Sequence, residues 1–376
     1  MKRQVRLVGL LFAVVAAAVV VAIPAQASGG SDESSGQAVF VQTNDPSANS
    51  IAAYHRNEDG SLTFAASYAT GGKGGREVGS GSDPLATQGS LTLVPEAGLL
   101  LAVNAGSNSI SVFRVDGDRL KLAQVLPSGG PFPTAFAVHD DVVYVLDAGG
   151  QGFVSGYRIA GHRLHSIEGS TRTLLLGNAN VPFFLSSPAE VGFAPDGEHL
   201  IVTTKTHNTV DVFSAGRDGR LSSEPVKNVE APVPFAFVFD RSGRLVLNFA
   251  GTSSLEKFRL NSDNTLTAVS ASVSDTQAAL CWITAARGYE YTSNTGSGSV
   301  SQFRVDAGGT VVLVNPVAAS GIPGATDSAA SGRFLYVQSG LSSAVYVFSI
   351  GAGGSLTPIQ VVAVPGGGSQ EGIAAS

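Results

Sequence analysis

The residues best placed by type and spacing to do chemistry are Glu190, Lys205 and His207. A carboxylate, a cation and an imidazole on one rim would suit the opening of a lactone by water. In that reaction a base takes the proton of water while a positive group meets the developing oxyanion. That reading makes Glu190 the base, Lys205 the oxyanion partner and His207 an auxiliary group. The plainer use of the same residues is an ion pair between adjacent strands and an exposed turn histidine, and surface pairs of that kind contribute little. A second set is polar and recurs along the chain: Asn44, Asn104, Asp147, Asn248, Asn294 and Gln338 at strand ends, with Gln88, Thr134, Gln277, Asp327 and Glu371 at strand starts. Phe235 occupies one further strand start. Gathered at one mouth, these residues would form two rings suited to a neutral, oxygen-rich small molecule, with Phe132, Phe183 and Phe184 as walls. Taken singly, Asn and Asp at strand ends are ordinary turn residues.

Other chemistries lack their residues. The histidines are scattered, with no His-x-His and no cluster with cysteine, so no metal site is expected. Glu190, Asp327 and Glu371 could face one another, but they come from separate repeats and carry no calcium-loop pattern. Cys281, followed by Trp282, reads as a small apolar filler. There is no Gly-x-Ser-x-Gly elbow and no phosphate-binding loop ending in Gly-Lys-Ser/Thr, and no cofactor is expected.

The elements that must position these residues are strands. With 46 Gly, 14% charged residues and almost no 3.6-residue periodicity, the composition is that of an all-β chain punctuated by turns. One segment type recurs seven times: a small polar residue, an alternating strand ending in an aromatic, a polar turn, then Leu or Val. Its aromatics are Tyr54, Phe113, Tyr157, Phe213, Phe258, Phe303 and Phe348, at intervals of 59, 44, 56, 45, 45 and 45 residues. That period is one four-stranded blade, so a seven-bladed β-propeller of antiparallel blades is expected over residues 37–376. We label the strands of each blade A to D from the channel outward. The ordered chain starts on a B strand (38–43) and ends on QEGIAA (370–375), so the C-terminal strand should join the N-terminal blade and close the ring. The imperfect alternation of 299–305 suggests a bulge. The two long intervals locate insertions at 69–88 and 168–188, both between a D strand and the next A strand. Such connections share a face with the B-to-C turns, so both should overhang one mouth of the channel.

Residues 1–27 read as an export signal: Lys2, Arg3 and Arg6, an uncharged run from Leu7 to Ile23, then Ala25-Gln26-Ala27. Residues 28–36 form a polar leader. A secreted, monomeric protein is expected, with no membrane attachment once the signal is removed. Loss of the signal's three basic residues takes the net charge from -6 to about -9, which leaves no basic face for nucleic acid. The expected partner is a small molecule or a cell-envelope component.

The phrase of Asp-Gly turn, Phe-Leu-Tyr-Val strand, polar turn and Val-x-Val-Phe strand, clearest in residues 332–348, resembles the lactonase family of seven-bladed propellers. That family includes propeller-type 6-phosphogluconolactonase and carboxymuconate lactonizing enzyme. The resemblance runs from about Ala38 to the C-terminus and implies the fold together with lactone hydrolysis. Family hydrolases carry Pro-Arg-His at the start of one A strand and an acid at the end of the following B strand. Here the stretch reads Pro188-Ala189-Glu190 and its B strand ends in Lys205. The family's catalytic roles therefore do not transfer to these positions, and ligand capture without catalysis stands beside hydrolysis.

Overall fold

The computed structural model describes residues 37–306 and 308–376. The export segment and the polar leader lie outside the described residues. Seven antiparallel sheets follow one another along the chain. Blade 1 is built from Ala38–Gln42, Ser50–Arg56 and Leu62–Ala69, with the C-terminal Ile373–Ala375 as its inner strand. The inner strands of blades 2 to 7 are Leu91–Val94, Pro133–His139, Pro188–Phe193, Pro234–Phe239, Leu280–Ala286 and Ala325–Ser331. The seven inner strands touch in cyclic order around the channel. Closure is as the sequence suggests: Val39 pairs with Ala375 and Val41 with Ile373.

The B strands are apolar on both faces because each is buried between two neighbouring blades. Val39 and Val41 pack against Phe334 and Tyr336 of blade 7, while Phe40 and Ile51 pack against Leu100 and Phe113 of blade 2. The same division recurs at every seam, giving seven hydrophobic clusters. The seven marker aromatics are all buried in these seams. Tyrosines add polar latches across them: Tyr54 Oη donates to Ala363 O at 2.8 Å, and Tyr157 Oη to Pro127 O at 2.8 Å.

Register shifts set the geometry of the mouth. In blades 3 to 7 the A strand is bulged against its B strand near its start, between Pro188 and Glu190 for example. Such a bulge re-aims the side chains beside it. The bulge expected in 299–305 is present between Val300 and Phe303.

Candidate functional site at the channel mouth

The two insertions do more than overhang the mouth: they fill it. They are joined by Val78 N–H to Pro182 O (2.9 Å) and Phe184 N–H to Val78 O (3.1 Å). The first insertion is rich in glycine because backbones meet there. A Cβ on Gly74 would lie 2.0 Å from Asn44 O, and one on Gly340 would lie 1.8 Å from Ser82 O. Its last residues form a plug. The Asp83 carboxylate caps a tight turn by accepting the N–H groups of Leu85 (3.0 Å), Ala86 (2.7 Å) and Thr87 (3.1 Å). Thr87 Oγ1 then donates to Ala189 O at 2.6 Å, and Trp282 Nε1 donates to Thr87 O at 2.8 Å, so the plug ties blade 4 to blade 6. Gln88 spans the same gap, donating to Glu190 Oε1 (3.2 Å) and accepting from Ile283 N–H (3.0 Å).

Lys205 stands beside the plug, 1% exposed. Its Nζ donates to Ala86 O at 2.7 Å and lies 4.0 Å from Glu77 Oε2. It also faces the Phe235 ring at 5.6 Å. Burial pushes the ammonium down from its ordinary value, and the carboxylates of Glu77 and Asp83 pull the other way. The expected pairing of Lys205 with Glu190 is absent among the described residues. Glu190 instead accepts from Phe237 N–H (2.6 Å) and from Gln88, behind the plug, and burial holds its carboxyl well above the usual range. The partners of Lys205 come from the insertion, at positions the repeat does not cover.

Around Lys205 the carboxyls outnumber the cations. Burial pushes Glu77 up to about 8, and its Oε2 accepts from Ser187 Oγ at 3.0 Å. Asp83 and Glu371 form a carboxyl pair, both raised by burial. The charge of Asp83 raises Glu371 further. Asp327 is raised to about 7, chiefly by burial. The Cys281 thiol is pushed up to about 12 by burial, so it stays protonated, as befits a filler.

A cavity of about 450 Å³ opens onto this cluster. Phe184, Leu185, Phe235 and Trp282 form its walls, and Lys205, Asp83 and Cys281 its polar end. Its size is that of a small-molecule site. Among the described residues no group of three or more His, Cys, Asp or Glu is set to hold a metal.

Of the residues singled out in the sequence, Glu190, Lys205, Gln88, Phe235, Asp327 and Glu371 come together here. The other ring members do not, because the ring assumed one register for every blade. Asn104 and Asn294 end their strands facing the preceding blade. Asn104 bonds Asn49, Thr70 and Ser111, and Asn294 bonds Ser299 and Ser301. Asn248 and Gln338 lie one residue earlier on their strands and so face the next blade, donating to Cys281 O and Gly372 O. A one-residue offset reverses the face of a strand. Asp147 is buried beside Ser128 and Gly130, and its carboxyl is raised to about 8 by burial. Asn44 pins the first insertion through Gly75. Gln277 lies on the loop before Leu280–Ala286, accepting from Ser299. His207 is an exposed turn residue. Phe132 is no wall of the mouth: it is buried in the seam of blades 2 and 3. Phe183 is on the rim and Phe184 in the cavity.

Glu77 and Asp83 are the functional candidates that the repeat pattern missed. One signal was available: a lysine buried at a channel mouth requires a carboxylate, and the insertion carries both.

The sequence matches the model of the seven-bladed β-propeller lactonases over residues 175–264 and 251–369, together more than half of the chain. The chain belongs to the lactonase family. Solved structures agree with it in fold. A putative 6-phosphogluconolactonase from Bacteroides uniformis is 16% identical with a TM-score of 0.68, covering 89% of this chain and 98% of that one. A periplasmic gluconolactonase from Pseudomonas aeruginosa is 18% identical with a TM-score of 0.67, covering 90% and 98%. A protein from Lactobacillus plantarum is 18% identical with a TM-score of 0.69, covering 89% and 98%. No curated protein matches the chain in sequence. In this family member Pro188-Ala189-Glu190 stands where the family's Pro-Arg-His stretch is expected, and the polar groups at the mouth come largely from the plug.

Proposed function

We propose that this propeller binds a lactone in the mouth cavity and opens its ring with water. The observation that carries this reading is the presence of Lys205 and Asp83 at the polar end of one aromatic-walled cavity. The Asp83 carboxylate takes a proton from water as the water oxygen bonds to the carbonyl carbon. Lys205 Nζ donates to the resulting oxyanion. Among the described residues one of its three N–H groups is committed, to Ala86 O, which leaves donors for the ligand. Collapse re-forms the carbonyl and breaks the ring C–O bond. The leaving oxygen takes up the proton held by the carboxyl, and the product is a hydroxy acid. Glu190 acts at one remove by holding Gln88, and through it the plug. Read with the export signal at 1–27, the reaction takes place outside the cytoplasm.

Ring opening of a lactone panel by the purified protein, followed by proton release, tests the proposal. Lys205→Met should lower kcat/KM by about 10²–10³, and Asp83→Asn by about 10² or more. Full activity in both variants would sink the assignment. Ala189 and Glu190, standing where family hydrolases carry Arg and His, favour a second reading, capture without chemistry. It predicts saturable binding by calorimetry with no proton release.

A further inference from the structure

We infer that the ligand of this cavity is an uncharged lactone bearing an apolar alkyl or acyl chain, its ring at Lys205 and its chain running past Phe184 to the rim. The inference rests on the lactone reading above and names the class of substrate.

The polar end favours a neutral ligand over an anionic one. Lys205 is the cation lining the cavity, and it already faces Glu77 at 4.0 Å with Asp83 in the same wall. Glu371 and Asp327 lie behind them. A phosphate or a second carboxylate on the ligand would find Lys205 as its one cation, already facing Glu77, and no arginine fork among the described residues that line the cavity. A neutral ester carbonyl needs only one donor, which Lys205 supplies.

The walls select what is attached to the ring. Beyond the polar end the cavity is bounded by Phe184, Leu185, Val233, Phe235, Ala250 and Trp282. Phe183, 47% exposed, continues this surface outward, its ring centroid 5.0 Å from that of Phe184. Val78, bridged to Phe183, and Val181 beside it are also exposed. On the other side Leu341 is 66% exposed and abuts Gly324 together with Ser82 of the cavity wall. Single exposed apolar residues are ordinary, but Phe183 adjoins the wall residue Phe184 and Leu341 lies beside the wall residue Ser82. The outer strands also expose Phe64, Leu122 and Val361, none of which lines this cavity. An apolar chain leaving the ring would cover the rim.

The test is a series of γ-lactones with unbranched side chains of increasing length, set against a phosphorylated sugar lactone, with the full chain assayed for ring opening and, separately, for binding by calorimetry. The expected result is a kcat/KM that rises about fourfold per added methylene over the first several carbons, with no turnover of the phosphorylated lactone. Phe183→Ser should lower kcat/KM for the longest chain more than for the shortest. Turnover that favours the phosphorylated lactone, or that ignores chain length, overturns the ligand class and leaves hydrolysis standing. Binding that strengthens with chain length without ring opening supports the ligand class and overturns hydrolysis. Neither binding nor turnover overturns both.

Discussion

Among the described residues two lysines are fully buried, and they are held in different ways. Lys257 lies between blades 5 and 6 near the A-to-B turns, with Nζ ion-paired to Asp240 and donating to Asp306 O at 2.9 Å. Burial would raise Asp240, but hydrogen bonds from Lys257 and Ser242 outweigh it and hold the carboxyl down at about 2. Lys205, at the opposite end, has its nearest carboxylate at 4.0 Å and one hydrogen bond, to Ala86 O. The acids around it are held high, and a cavity opens beside it. A closed ion pair reads as structure. A cation left with free donors beside carboxyls raised by burial reads as a site.

Removing each lysine would break or sharpen that contrast. Lys257→Met strands the buried Asp240 carboxylate and should cost about 3–5 kcal/mol in urea unfolding, with ring opening per folded molecule unchanged. Lys205→Met should cost less than half as much, because Glu77 and Asp83 can take up protons, while activity is lost. The reverse ranking would mean that Lys205 is the structural lysine.

The pH dependence of stability is the next largest effect. Asp147 has a folded value of about 8, above its unfolded value, so the fold is favoured while the proton is held. That contribution is complete below about pH 4 and is lost as pH rises toward 8. Asn104 and Asn294 end the equivalent strands, so Asn fits the position. Asp147→Asn should therefore stabilise the protein by about 2 kcal/mol at pH 8 and by nothing at pH 4, measured as Tm at the two values. An equal shift at both would refute the raised carboxyl.

Smallest is the plug itself. Trp282→Phe removes the hydrogen bond to Thr87 O and should cost about 1 kcal/mol, with faster amide exchange at residues 85–88. Unchanged exchange there would mean that blade 6 does not hold the plug.

The blades were legible in the sequence because their markers are seam residues. Tyr54, Phe113 and Phe213 fill equivalent places between blades, so the packing repeats with the chain. The site was legible only in part. Glu190 and Lys205 stood out as charges on apolar strands, but their mutual pairing was inferred from adjacency, and the insertion supplied other partners. The carboxamide ring failed for a local reason. Asn248 and Asn294 differ by one position relative to their strand ends, and the pleat sends them into opposite seams.

The sequence by itself determined the number of blades, the closing strand and the place of both insertions, since each follows from a period that short-range turn chemistry and alternation enforce. Only the tertiary structure decided what occupies the mouth. The course of 69–88 has no periodicity to read; it follows from backbone contacts such as Ser82 against Gly340 and from hydrogen bonds reaching Ala189 and Trp282, more than a hundred residues away. Those contacts bring Asp83 and Glu77 to Lys205, and with them the chemistry assigned to the site.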